Sequence, residues 1–93
     1  METRALLSAR IFGRVQGVFF RAFVSEWCNK LGLNGFVRNL PDGSVEVKAE
    51  GEKQKLEELL LQIKTGPPRA KVEKVSETWS GFTGTYSGFA VRS

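Results

Sequence analysis

The chain has 93 residues, 41% hydrophobic and 26% charged, which is the size and composition of one small globular domain over residues 1–93. Fourteen Lys and Arg against ten Asp and Glu leave a charge of +4, suited to an anionic ligand but short of a nucleic-acid-binding arm. The absence of histidine removes Ser–His and Cys–His nucleophile pairs and imidazole metal ligation, and the lone Cys28 excludes an internal disulfide or a multi-cysteine zinc site.

The opening segment Met1-Glu2-Thr3-Arg4-Ala5-Leu6-Leu7 lacks a long apolar stretch, and no run approaches the roughly 20 apolar residues that span a bilayer. With a single cysteine, this favours a cytoplasmic protein that does not enter a membrane. Leu7, Ala9 and Ile11 alternate with Ser8 and Arg10, predicting a half-buried strand over about 5–12 that Gly13 stops. After a loop over 13–20, Val24, Cys28 and Leu31 at i, i+4 and i+7 predict a helix from Arg21 to Leu31, ended by Gly32. Residues 35–50 predict a β-hairpin. Its turn is Leu40-Pro41-Asp42-Gly43, and Val45, Val47 and Ala49 alternate with charges in its second strand.

Leu56, Leu59, Leu60 and Ile63 form the apolar stripe of a second helix over 52–65, which Gly66-Pro67-Pro68 ends. A fourth strand is expected from Arg69 to about Thr78, with a bulge where its alternation breaks between Val72 and Val75. A loop from Ser80 to Thr85 and a short strand from Tyr86 to Arg92 complete the chain. The order β-α-β-β-α-β plus one strand predicts an α+β, ferredoxin-like sandwich. A mainly antiparallel sheet ordered 4-1-3-2 carries both helices on one face, and the order alone does not place the fifth strand. In that topology strands 1 and 2 are parallel and about two strand spacings of 4.8 Å apart. The loop at 13–20 and Asn39 then share one sheet edge.

Gly13-Arg14-Val15-Gln16-Gly17-Val18-Phe19-Phe20-Arg21 is the unusual stretch. It joins a strand to a helix N-terminus through two glycines, a pattern that can turn successive backbone N–H groups toward an anion. Arg21, a cation in the first helical turn, opposes the helix dipole unless an anion lies between them. The stretch matches neither G-x-x-x-x-G-K-[ST] nor G-x-G-x-x-G. On spacing alone, a plain connecting loop with a surface arginine fits equally well.

Residues 13–21 resemble the signature of the acylphosphatases. Gly35-Phe36-Val37-Arg38-Asn39 resembles that family's second motif at the matching separation from Arg21, and Gly66-Pro67-Pro68 and the element order agree. The resemblance implies the ferredoxin-like sandwich and hydrolysis of acyl phosphates to a carboxylate and inorganic phosphate, without metal or cofactor. Residue by residue, it implies that Arg21 binds phosphate and that Asn39 orients the attacking water. The backbone of Val15, Gln16, Gly17, Val18, Phe19 and Phe20 would cradle the phosphate, which sulfate or inorganic phosphate could also occupy. A monomer is the family habit. The segment from Ser80 onward is less like the family.

Other candidates have plainer readings. Arg14 and Arg38 read as solvated charges, Cys28 as a buried small hydrophobe, and Trp27, Trp79 and Phe36 as packing. Phe19 and Phe20 are expected to anchor the loop against the core. A non-catalytic module binding anions or RNA is the rival function. RNA binding needs aromatics on the central strands, and Ser44-Val45-Glu46-Val47-Lys48-Ala49-Glu50 has none and carries two acids.

Overall fold

The computed structural model describes residues 3–93, so Met1 and Glu2 of the opening segment lie outside the described residues. In chain order the elements are β1 (Arg4–Arg14), α1 (Phe20–Leu31), β2 (Asn34–Asn39), β3 (Val45–Glu52), α2 (Lys53–Thr65), β4 (Lys71–Gly81) and β5 (Phe89–Arg92). They build a ferredoxin-like α+β sandwich whose five-stranded sheet has the order β4-β1-β3-β2-β5. The first four places follow the sequence expectation. β5 adds to the outer side of β2 and runs parallel to it, from Gly35 opposite Phe89 to Arg38 opposite Arg92.

Alternation decides the faces of the sheet. Leu7, Ala9 and Ile11 of β1, Val37 of β2 and Val45, Val47 and Ala49 of β3 are buried on the side that both helices cover. Phe20, Val24 and Cys28 of α1 and Leu56, Leu59, Leu60 and Ile63 of α2 complete one continuous core. Each large aliphatic side chain buried there contributes about 1.5–3 kcal/mol. α1 ends as its glycine predicts. Gly32 takes φ 70°, and the Leu33 amide donates to the Cys28 carbonyl at 2.8 Å.

Three strands differ from the sequence reading in their bounds. Gly13 does not stop β1, which continues to Arg14. Instead the pairing with β4 slips there, Phe12 lying opposite Lys74 and Gly13 opposite Val72, which leaves Glu73 as the extra bulge residue. At φ +124°, Gly13 lets β4 approach so closely that a Cβ would stand 2.2 Å from the Lys71 carbonyl oxygen. β4 begins two residues late, because Pro68 and Arg69 form a turn, and runs on to Gly81. β5 is only four residues long, because the segment before it is committed to a crossing.

That crossing runs over the helix-free face, from the β4 edge to the β5 edge. Phe82 lies under the Arg4 guanidinium, 4.2 Å from its ring centre, and Tyr86 meets Phe36 with ring centres 6.1 Å apart. Between them, the Thr83 amide and hydroxyl each donate to Glu50 Oε2 at 2.9 Å. Glu50 is thereby buried on the helix-free face, as is Phe36. Burial pushes its pKa up, but the amide and hydroxyl of Thr83 and the amides of Gly84 and Tyr86 outweigh it and hold the carboxyl below the usual glutamate value.

Candidate functional site

β1 and β2 flank β3 and are both antiparallel to it, so their C-terminal ends meet at one edge of the sheet. Residues 15–19 leave β1 there and enter α1. Val15 and Val18 are buried and fasten this short loop to the core, while Gly17 between them is exposed. The loop turns twice through the left-handed region, at Gly17 (φ 72°) and at Phe19 (φ 62°, ψ 25°). Among the described residues Phe19 is the one non-glycine with positive φ, a conformation that costs an L-residue roughly 1–2 kcal/mol. Phe19 is the N-cap of α1 and supplies no side-chain hydrogen bond to it. The first amides of the helix therefore have no side-chain cap, at the positive end of its dipole.

The two phenylalanines separate. Phe20 is buried and anchors the loop as expected, whereas Phe19 points outward with 74% of its surface exposed. The left-handed backbone at 19 turns successive side chains to opposite sides of the chain, which overturns the expected anchoring role of Phe19.

A second anchor comes from Gln16, considered above only for its backbone. Its Nε2 donates to the carbonyl oxygens of Leu40 at 2.8 Å and Ser44 at 2.9 Å, tying the loop to the β2–β3 turn. That turn is itself braced. Asp42 accepts from the Ser44 hydroxyl and amide and from Arg10 Nη2 at 2.7 Å, and Arg10 Nε donates to Ser44 Oγ at 3.0 Å. The Ser44 hydroxyl, then its amide and Arg10 hold the Asp42 carboxyl below its ordinary pKa. A lone amide side chain in a loop gives no sequence signal for this clamp.

Arg21 and Asn39 line the same concavity of about 360 Å³, together with Val15, Gly17, Phe19, Phe20, Ala22 and Val91. Arg21 Nη1 donates to the Arg92 carbonyl oxygen at 2.8 Å, so β5 holds one side of the guanidinium fork. Asn39 closes β2, and its Oδ1 is buried without a hydrogen-bond partner. A buried amide oxygen left without a donor is costly, and a water or ligand O–H inside the concavity would satisfy it. A helix N-terminus without a side-chain cap, a guanidinium and this acceptor suit an oxyanion with a water molecule beside it.

The remaining candidates stay outside. Arg14 is exposed, and Arg38 pairs with Glu46 at 2.6 Å; neither lines the concavity. Burial pushes the Cys28 thiol up to about 12, as suits a core residue rather than a nucleophile. Phe36 is buried beneath the Arg92 guanidinium, and Trp27 and Trp79 pack at the margin of the core. Another hollow of about 360 Å³ lies between α2 and β4, lined by Leu60, Leu61 and Trp79 and by charges among which Lys64 and Glu77 approach to 3.5 Å. Lys53, the first residue of α2, stands at its rim, but none of its lining side chains has a buried polar atom without a partner.

Residues 7–91 match the model of the acylphosphatase family. Curated relatives include the acylphosphatases of Salinibacter ruber, 46% identical over 97% of this chain and 95% of that one, and of Thermus thermophilus, 49% identical over 91% and 96%. Among solved structures, the acylphosphatase from Bacillus subtilis superposes with a TM-score of 0.92 at 36% identity, covering 96% of this chain and 99% of that one. A match that runs from β1 through β5, and so takes in every wall of the concavity, places this chain in the acylphosphatase family.

Proposed function

We propose that this protein hydrolyses the carboxyl–phosphate bond of acyl phosphates in the concavity that Arg21 and Asn39 share. The observation that carries the reading is this convergence of a guanidinium, an unpartnered buried amide oxygen and an uncapped helix N-terminus, in a chain of the acylphosphatase family. The backbone amides of Val15 to Phe20 and the Arg21 fork hold the phosphate oxygens. Asn39 aims a water at phosphorus on the side opposite the carboxylate. The water oxygen forms the new P–O bond as the bond to the carboxyl oxygen breaks, and the electron pair leaves with the carboxylate. The water proton passes to a phosphate oxygen, giving carboxylate and inorganic phosphate.

The residue set suits this chemistry. The departing carboxylate has a conjugate acid of pKa about 4, like a glutamate side chain, so it needs no general acid. Phosphoryl transfer of this kind passes through a loose transition state in which positioning and charge stabilisation dominate. Among the described residues no three of His, Cys, Asp and Glu stand together as metal ligands. Metal-independent turnover, with no cofactor, by a cytoplasmic monomer belongs to the same proposal. The test is benzoyl phosphate hydrolysis followed in the ultraviolet, with and without excess EDTA and with inorganic phosphate as competitor. Turnover unaffected by chelator and competitively inhibited by phosphate is expected. Turnover abolished by EDTA and restored by Mg²⁺ would refute the metal-free mechanism, and an absence of turnover with phosphate still bound would leave an anion-binding module.

A further inference from the structure

The two halves of the site stand on strands that are not neighbours. The loop leaves β1, Asn39 ends β2, and β3 lies between them. Ile11, Val45 and Asn39 form the last rung that the three strands share, so the ladder of the sheet stops short of the loop. Beyond that rung Gln16 crosses the gap. Its Nε2 donates to the carbonyl oxygens of Leu40 at 2.8 Å and Ser44 at 2.9 Å, in a half-buried contact. Both oxygens already accept from the turn itself, Ser44 from the Leu40 amide at 2.8 Å and Leu40 from the Gly43 amide at 3.1 Å. Gln16 therefore fills the second lone pair of each. Leu40 is bonded to Asn39, whose Oδ1 is buried without a partner. The grip on the Leu40 carbonyl thus acts next to the group assigned to the attacking water.

We infer that the Gln16 side chain is a positioning residue for the hydrolysis: it sets the spacing between the phosphate cradle and Asn39, and with it the line along which water approaches phosphorus. The inference rests on the function proposed above and adds a residue whose side chain does not line the concavity. The loop amides and Arg21 belong to one continuous segment, residues 15–21, and keep their mutual placement without Gln16. Asn39 belongs to another segment, and Gln16 ties the two together. Arg10 and Asp42 hold Ser44 from the far side, so the turn that Gln16 grips is itself fixed. Phosphate binding needs the first segment alone, whereas in-line attack needs both in register. Attack is also the steeper function of geometry, since a displacement of about 1 Å made away from the chemistry can cost a factor of about 100.

The experiment measures kcat for benzoyl phosphate, inhibition by inorganic phosphate and thermal unfolding in the wild type, Gln16→Met, Gln16→Glu, Asn39→Ala and the double variant Gln16→Met/Asn39→Ala. Methionine keeps the length of the side chain and removes both donors. Gln16→Met should lower kcat about tenfold or more and leave phosphate inhibition within about twofold of the wild type. In the Asn39→Ala background the same substitution should change kcat by no more than about twofold, because the water it would misplace is no longer held. Gln16→Glu sets a carboxylate against two carbonyl oxygens, and its neutral form regains one O–H donor. Its kcat relative to the wild type should therefore rise from about pH 7 to about pH 5, a recovery that Gln16→Met lacks. If Gln16→Met does not fold, that recovery decides. Losses that multiply in the double variant, or phosphate inhibition that falls in parallel with kcat in Gln16→Met, would mean that Gln16 only shapes the cradle and would overturn the inference. Loss of the fold in both Gln16→Met and Gln16→Glu overturns it too. A wild type that binds phosphate without hydrolysing benzoyl phosphate sinks the proposed activity and this inference together, whereas multiplying losses in an active enzyme sink this inference alone.

Discussion

The Arg21 guanidinium donates from Nη1 to the main-chain carbonyl oxygen of Arg92, 2.8 Å away, so the first turn of α1 is tied to the last strand of the sheet. One N–H of the fork is thereby engaged while others remain for an anion in the concavity. Such an arrangement fixes the plane of the guanidinium before any ligand arrives, which lowers the entropy lost on binding.

Replacing Arg21 by Ala should therefore damage phosphate inhibition and turnover together, because the contact exists in the ground state and strengthens in the transition state. Arg21→Lys should recover little of either. An ammonium is a compact point charge and cannot hold the Arg92 carbonyl and two phosphate oxygens with a planar fork. Steady-state kinetics with phosphate as competitor would check this, and near-wild-type inhibition in Arg21→Lys would contradict it.

Asn39 should behave differently. Its Oδ1 has no partner in the protein, so its removal breaks no internal hydrogen bond of that oxygen. Asn39→Ala should keep the fold and most of the affinity for phosphate, and lose kcat by roughly 100-fold or more, as for other single preorganised polar groups. A folded Asn39→Ala protein with full turnover would remove the water-orienting role.

That these two residues share one sheet edge is legible in the sequence because the topology is, whereas their roles rest on the resemblance of residues 13–21 and 35–39 to the family. Alternating Leu7, Ala9 and Ile11 and alternating Val45, Val47 and Ala49 fix which face of each strand is buried. Once β3 separates β1 from β2, the 13–20 loop and Asn39 must share an edge. The supports of the site were not legible. The Gln16 clamp acts on two main-chain carbonyls, and Arg21 is held by another, so neither contact depends on the partner's side chain. The outward swing of Phe19 arises from a left-handed φ at a residue type that rarely adopts one. β5 is shorter than its sequence pattern suggests because its preceding segment follows Glu50 across the sheet, a tertiary contact with no local pattern.

Glycine substitutions should separate packing from backbone strain. Gly35 has φ +147°, and a Cβ there would stand 1.8 Å from the Lys48 carbonyl oxygen, against the backbone of β3. Gly35→Ala must push two paired strands apart and should cost at least about 3 kcal/mol, a fall of roughly 12 °C or more in Tm for a domain of this size. Gly43, in the β2–β3 turn at φ +92°, has open space around it. Gly43→Ala should cost only the backbone term, roughly 1–2 kcal/mol. Thermal unfolding of both variants checks the difference, and equal losses would contradict it.

Glu50 gives the acid-stability prediction. Burial raises its pKa, but the Thr83 amide and hydroxyl and the neighbouring amides more than reverse this, so the folded value lies below the ordinary 4.5. A depressed carboxylate pKa contributes stability that is fully present above the unfolded value. Between the two values the unfolded chain binds more protons, so that stability is lost as the pH falls through the folded pKa. Asp42 titrates with the same sign, through Ser44 and Arg10. The wild type alone would therefore not isolate Glu50, but Glu50→Gln does, because Asp42 is common to both proteins. At pH 7 the variant should lose about 1–3 kcal/mol, since an amide oxygen accepts from Thr83 without the charge that strengthens both bonds. As the pH falls below the ordinary glutamate value and through the depressed folded one, the gap between the two proteins should narrow, as protonation makes the wild-type group neutral as well. Urea unfolding at intervals from pH 7 to pH 3 measures the gap. A gap of constant size over that range would mean that the carboxylate charge does not hold the crossing segment. The gap should also appear in the site, because the segment that Glu50 pins leads into β5, and β5 supplies both Val91 and the carbonyl that holds Arg21. Glu50→Gln should accordingly weaken phosphate inhibition at pH 7 by a few-fold. Full retention of phosphate affinity in a destabilised Glu50→Gln protein would show that β5 stays docked without the pin.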